Sequence, residues 1–196
     1  MEKLAGIITD RLLNQNVIDA DKKEIHKTGI ELILTDTINF SLILIIGIMI
    51  KAVSAACIYL LLFWTVRRFS GGYHAKSYGV CRTVTVGTYI AIVLISKFLA
   101  VNQMLVSVVL NIVTAITMMA FAPIRHPNKE LTITEIRANK LFSVLTTLFY
   151  IALSIILSAF GNKQGLIIAI TLFAISVLMY LGLLMNMRGE QNYEKN

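Results

Sequence analysis

Arg67-Arg68-Phe69-Ser70-Gly71-Gly72-Tyr73-His74-Ala75-Lys76-Ser77-Tyr78-Gly79-Val80-Cys81-Arg82 is a polar, basic island in a sequence that is otherwise largely hydrocarbon. An apolar run precedes it over about 52–66, and another follows over about 84–100. Further runs lie at about 30–50, 105–124, 141–160 and 166–187. A helix crosses a bilayer with roughly 20 apolar residues, and all these runs except the short 52–66 approach that length. The expected fold is therefore all-α: a polytopic integral membrane protein with six transmembrane helices. No linker or composition shift divides 1–196, so a single membrane domain is expected.

Composition agrees. Of 196 residues, 57% are hydrophobic and 15% charged, whereas a soluble domain carries about a quarter charged residues. The net charge of +7 raises the question of nucleic acid. Nucleic-acid binding gathers basic residues on a soluble face; here they stand in short segments between apolar runs, as juxtamembrane residues do. No nucleic-acid partner is expected.

The same basic residues orient the chain. Lys3, Arg11, Lys22, Lys23 and Lys27 precede the first run, and Lys51 alone follows it. Arg67, Arg68, Lys76 and Arg82 lie in the island, Lys97 in the next connection, and Arg125, Lys129, Arg137 and Lys140 before the fifth run. Lys163 stands alone before the sixth, and Arg188 and Lys195 close the chain. The series 5, 1, 4, 1, 4, 1, 2 alternates as the positive-inside rule requires. Both termini and the island are thus expected on the cytosolic side, where a free thiol survives.

Residues 1–29 carry Glu2, Asp10, Asp19, Asp21 and Glu24 and no apolar core, which excludes a cleavable signal peptide. Leu4, Ile7, Ile8 and Leu12 share one helical face. Two readings fit: an amphipathic helix lying at the cytoplasmic interface, or a soluble helical cap.

Within the island, His74 and Cys81 are the minimum equipment for thiol chemistry. Cysteine attacks as its thiolate, and a nearby His or cation favours that form and accepts the proton. In a straight helix, seven residues put the two on one face but about 10 Å apart along the axis. If they act together directly, the segment between them is bent, and Gly79 is the natural place. Gly71-Gly72 permits close backbone approach and offers N–H groups to an oxyanion; equally, it ends the second run. The other cysteine, Cys57, reads as a small buried hydrophobe. His26 and His126 lie in other segments, short of the three or four ligands a zinc site needs, so neither metal nor cofactor is expected.

Acids within spans are costly and point to function by default. Glu31, at the cytosolic edge of the first run, can orient His74 as the acid behind a base, or sit solvated at the interface. Asp36 and Asn39 lie near one face and suit an interhelical polar bond.

The ordered set Arg-Arg-Phe-Ser-Gly-Gly-Tyr-His-Ala, with Cys81 seven residues after His74, resembles the signature of the accessory gene regulator B family. These are membrane-embedded cysteine endopeptidases of peptide quorum sensing in Gram-positive bacteria. The resemblance extends to the length, the six apolar runs, the charged N-terminal segment and the basic Pro-containing loop Ala122-Pro123-Ile124-Arg125-His126-Pro127-Asn128-Lys129. It implies that His74 is the base and Cys81 the nucleophile. The substrate would be an amphipathic propeptide with an acidic C-terminal tail, cleaved near that tail and released as a cyclic thiolactone or lactone. It also implies that Arg67, Arg68 and the 125–140 loop hold the tail, although either arginine can equally anchor a span to lipid phosphates. A homodimer is implied as well, and small residues in the spans permit helix association. The rival reading is a small peptide transporter or exporter, with Glu31 and Asp36 lining its path.

Overall fold

A computed structural model describes residues 2–15, 17–71, 78–124 and 132–193, without the side chains of Ala20, Tyr78 and 186–193. Among the described residues every regular element is helical. The chain divides into two compact units, Met1–Ile46 and Gly47–Asn196.

The first unit contains α1 (Glu2–Asn14) and most of α2 (Lys23–Met49). In α1 the buried residues are Ala5 and Thr9, while Leu4, Ile7 and Ile8 are exposed. Lys23 pairs with Asp10 at 2.8 Å and Lys27 with Glu2 at 3.5 Å, tying α2 to α1. Exposed pairs of this kind contribute little, about 0–1 kcal/mol.

The second unit holds α3 (Val53–Ser70), α4 (Tyr78–Phe98), α5 (Gln103–Phe121), α6 (Ile133–Ala159) and α7 (Lys163–Tyr193). α7 is the central post and touches all four of the others. Its residues Leu166–Leu172 are buried almost all round, the pattern of a helix with no solvent- or lipid-facing stripe. Leu62, Val66, Met118, Tyr150, Ile168, Leu172, Ile175 and Met179 form the core where α3, α5, α6 and α7 meet.

α5 and α6 are inverted relative to a water-soluble helix. The buried face of α5 is Ser107, Asn111, Thr114 and Met118, and that of α6 is Ser143, Thr147, Tyr150, Ser154 and Ser158. Large apolar residues such as Leu105, Val109, Ile112, Ile116, Leu145, Phe149 and Ile156 are exposed. In water this would waste the hydrophobic effect; in lipid it buries the groups that need partners and exposes those that do not. Five stretches are long and apolar enough to cross a membrane: Lys23–Met49, Val53–Ser70, Gly79–Phe121, Ile133–Ala159 and Lys163–Met185. The protein is a multi-pass membrane protein.

The third stretch has 43 residues and, as one rod at 1.5 Å per residue, would be about 65 Å long. A 3₁₀ turn at Leu99–Asn102 interrupts it. Tyr59 and Tyr89 bond across α3 and α4 in antiparallel register, reaching the carbonyls of Thr85 and Ala52 respectively. α5 then returns: Ser107 meets Ser158 near the end of α6, and Ile124, just beyond α5, bonds Ser70 at the end of α3. One end of the unit thus gathers Ser70, Tyr78, Ile124 and Ile133; the other gathers Ser54, Ser107 and Gln164, with Gln164 donating to Ser54 at 2.9 Å.

Most helix bounds differ from the apolar runs in one way: the helices extend into the charged segments, whereas α5 stops at Phe121, short of 124. α3 keeps Arg67 and Arg68 in its last turn, where cations complement the helix dipole. α6 starts at Ile133 because Thr132 and Glu135 close a capping box, with Thr132 N–H donating to the Glu135 carboxylate at 2.8 Å and Glu135 N–H to the Thr132 hydroxyl at 3.3 Å. Arg137 and Lys140 are therefore helical and exposed.

Candidate functional site

The site is assembled at the end of the unit where α3 finishes and α4 begins. Val66 and Ser70 are buried there, Arg68 is exposed and Arg67 is half-buried. The Arg67 guanidinium lies 4.5 Å from the centroid of the Phe63 ring, a cation–π arrangement. Phe69 stacks on Phe142 of α6 with centroids 5.4 Å apart.

Gly71 terminates α3 and cannot be another residue without cost. Its φ of 72° and ψ of −163° fall in a region that is essentially glycine-only. A Cβ added there would lie 2.5 Å from the Ile124 carbonyl oxygen. Next to it, the Ile124 N–H donates to the Ser70 carbonyl at 3.0 Å. The end of α3 is thus joined, through Ser70 and the close approach of Gly71, to Ile124 beyond α5. The Gly71 N–H is committed to the Arg67 carbonyl at 3.1 Å. Of the two readings of Gly71, this bond fits the one in which it ends the second run. Gly72 and His74 lie outside the described residues, as do residues 125–131.

Cys81 stands half-buried in the first turn of α4. Gly79 is helical within that same turn, so the bend expected between His74 and Cys81 is not at Gly79, and residues 74–77 lie outside the described residues. The Thr85 hydroxyl donates to the Cys81 carbonyl at 2.8 Å, and the Tyr59 hydroxyl donates from α3 to the Thr85 carbonyl at 2.9 Å. Tyr59 has no exposed surface. Its ring lies 5.0 Å from that of Phe63, which in turn carries Arg67. Tyr59, Phe63 and Arg67, spaced four apart, line one face of α3 and continue from the anchorage of α4 to the island.

Glu31 is buried on α2, in the first unit, and its carbonyl accepts from the Thr35 hydroxyl at 2.8 Å. Asp36 is exposed while Asn39 is buried. Cys57 is exposed, correcting the expectation of a buried hydrophobe: Ala55, Ala56, Tyr59, Leu62 and Val66 form the packed face of α3, and position 57 points off it.

Tyr59 and Thr85 were not singled out in the sequence, because a Tyr in an apolar run reads as ordinary core. The available signal was the Tyr59-Phe63-Arg67 spacing, which carries an aromatic face directly into the island.

With this geometry in place, comparison with known proteins is decisive at the family level. The accessory gene regulator B family model matches residues 2–187. This chain belongs to the accessory gene regulator B family. An AgrB-like protein 2 of Clostridium perfringens (strain 13 / Type A) is 26% identical over 168 residues, covering 80% of this chain and 78% of that one. An AgrB-like protein of Clostridium perfringens (strain SM101 / Type A) is 26% identical over 137 residues, covering 67% and 64% respectively. No solved structure matches. Membership in the AgrB family connects the chain to the processing of quorum-sensing peptides.

Proposed function

We propose that this AgrB-family protein is a membrane cysteine endopeptidase that cleaves a quorum-sensing propeptide and cyclises it, with Cys81 as nucleophile and His74 as base. The observation that carries the reading is the Cys81 thiol, half-buried in the opening turn of a helix at the polar end of an apolar bundle. The first turn of a helix favours negative charge, the thiolate is the attacking form, and a largely dry site limits hydrolysis of an activated acyl group.

The chemistry runs in two steps. The His74 imidazole takes the thiol proton, and sulfur attacks the scissile carbonyl. The C–N bond breaks, the proton passes from the imidazolium to the departing amine of the acidic tail, and the acyl group remains as a thioester on Cys81. A Cys or Ser side chain of the same propeptide then attacks that thioester and gives up its proton. The ring closes as a thiolactone or lactone, and the Cys81 thiol is restored. No cofactor enters either step. Arg67, Arg68 and the basic segment before α6 attract the acidic tail; the bond from Ile124 to Ser70 supports this by holding the residue before Arg125 against the turn that carries Arg67 and Arg68.

Six spans in the cell membrane, with both termini and the island cytosolic, complete the proposal. The alternation of Lys and Arg supports the orientation, and the antiparallel division of 79–121 supports counting six. The exporter reading needs Glu31 and Asp36 on one path, but five helical residues turn them about 140° apart, one buried and one exposed. The test is co-expression with a candidate propeptide that carries an amphipathic helix, a Cys or Ser before the cleavage point and an acidic tail. Cys81→Ala and His74→Ala should each abolish cleavage while membrane abundance holds; full processing by Cys81→Ala would end the proposal.

A further inference from the structure

We propose that Tyr59 is a positioning residue for Cys81, fixing the opening turns of α4 through its hydroxyl; this rests on the peptidase reading above. The hydroxyl is fully buried and crosses between helices to the Thr85 carbonyl at 2.9 Å. Thr85 in turn reaches back to the Cys81 carbonyl at 2.8 Å, so one inter-helix bond and one intra-helix bond connect Tyr59 to the backbone of the nucleophile. The Tyr59 ring is held from two sides, by Phe63 at 5.0 Å and by Tyr89 at 5.6 Å, so the hydroxyl has little freedom to choose another partner.

A helix that carries a nucleophile in its first turn has an inherent weakness, because terminal turns fray. Anchoring the carbonyl one turn further in resists that fraying without placing another group in the path of the substrate. Tyr59 acts through Thr85 and does not touch the reacting atoms.

Tyr89 supplies a matched control. It too is a buried tyrosine whose hydroxyl crosses to a backbone carbonyl, that of Ala52 at 3.1 Å, but it stands eight residues beyond Cys81, toward the other end of α4. A general loss of helix packing would affect Tyr59→Phe and Tyr89→Phe alike; a positioning role affects only the first.

The experiment uses the full-length protein in membrane vesicles, in a Cys57→Ser background so that Cys81 is the sole thiol. Three quantities are measured for Tyr59→Phe, Tyr89→Phe and Thr85→Ser: membrane abundance, kcat and KM for propeptide cleavage, and the rate of Cys81 alkylation by a membrane-permeant maleimide. For Tyr59→Phe the expected result is a fall in kcat of roughly ten- to a hundredfold, the scale of a small misplacement of a reacting group, with KM unchanged and the alkylation rate altered. Tyr89→Phe and Thr85→Ser should behave as the parent. Equal cleavage and alkylation by Tyr59→Phe and its parent overturns the proposal, as does an equal loss in Tyr89→Phe. Should abundance fall, activity per alkylatable Cys81 decides between these outcomes. Cleavage by Cys81→Ala sinks the peptidase reading and the positioning role together; an inactive Cys81→Ala beside a fully active Tyr59→Phe sinks the positioning role alone.

Discussion

Two polar regions sit inside this hydrocarbon scaffold, and they differ in what their polar groups face. Between α5, α6 and α7 the polar side chains face one another. Asn111 donates to Ser154 at 3.0 Å, Ser154 donates to the Gly165 carbonyl at 2.7 Å, and Ser158 donates to Ser107 at 3.0 Å. Between α3 and α4 the same kind of bond runs from Tyr59 toward the backbone of a helix start that bears a thiol. The first region is glue: small residues let helices approach, and hydroxyls bond across the contact. The second uses the same bonds to hold something still at the edge of the bundle. Polarity in a span is therefore not by itself a sign of chemistry; what matters is whether the bonds join helix to helix within the bundle or lead to a group proposed to react.

The comparison can be broken at defined points. The largest effect on the fold is expected at Gly71→Ala, which combines a forbidden backbone conformation, about 1–3 kcal/mol, with collision against the Ile124 carbonyl, a further 1–3 kcal/mol or so. Unfolding of the purified protein in mixed micelles should register the sum, and cleavage should fall with it because the residue before Arg125 is held there against the turn that carries Arg67 and Arg68. An unchanged Gly71→Ala would show that the α3 end is not fastened as described.

Gly165→Ala comes next. A Cβ there would approach the backbone of Ser154 and Ser158 to under 3.0 Å, so α7 must move away from α6, at about 1–3 kcal/mol. Loss of stability with kcat per folded molecule preserved is the expected outcome, since this seam carries no chemistry. A selective loss of kcat would erase the distinction between the two regions.

Ser154→Ala removes two hydrogen bonds and should cost on the order of 1 kcal/mol, from an average of about 0.6 for each polar bond within membranes. It is read from the same unfolding titration. Cys57→Ser should change stability by no more than about 0.5 kcal/mol and leave cleavage intact, because position 57 lies off the packed face. A Cys57 variant that loses cleavage would transfer the thiol chemistry away from Cys81.

The fold class was legible because hydropathy survives translation into structure: long apolar runs became long helices. The ends were less legible. Hydropathy stops at the first charge, whereas a helix stops where its backbone groups find caps, so Arg67, Arg68, Cys81, Arg137 and Lys140 all proved helical. The Thr132-Ile133-Thr134-Glu135 signature of a capping box was present in the sequence and marks the true start of α6. At the site, residue type pointed to Cys81, and the family resemblance paired it with His74, which lies outside the described residues. Tyr59 was invisible, since its role depends on a neighbour 26 residues away that only packing brings near. Gly71 had two readings, a close contact for substrate or the end of the second run; it caps α3, and its fit against Ile124, more than fifty residues downstream, could not be read from sequence.

The central claim is that sulfur at position 81 becomes acylated during turnover. Incubating the purified protein with its propeptide, quenching in acid and digesting for mass spectrometry tests this directly. The account predicts that the fragment containing Cys81 gains the mass of the propeptide without its tail, that hydroxylamine removes the adduct, and that Cys81→Ala yields neither adduct nor product. Product formed at the normal rate with Cys81 unmodified throughout would contradict it.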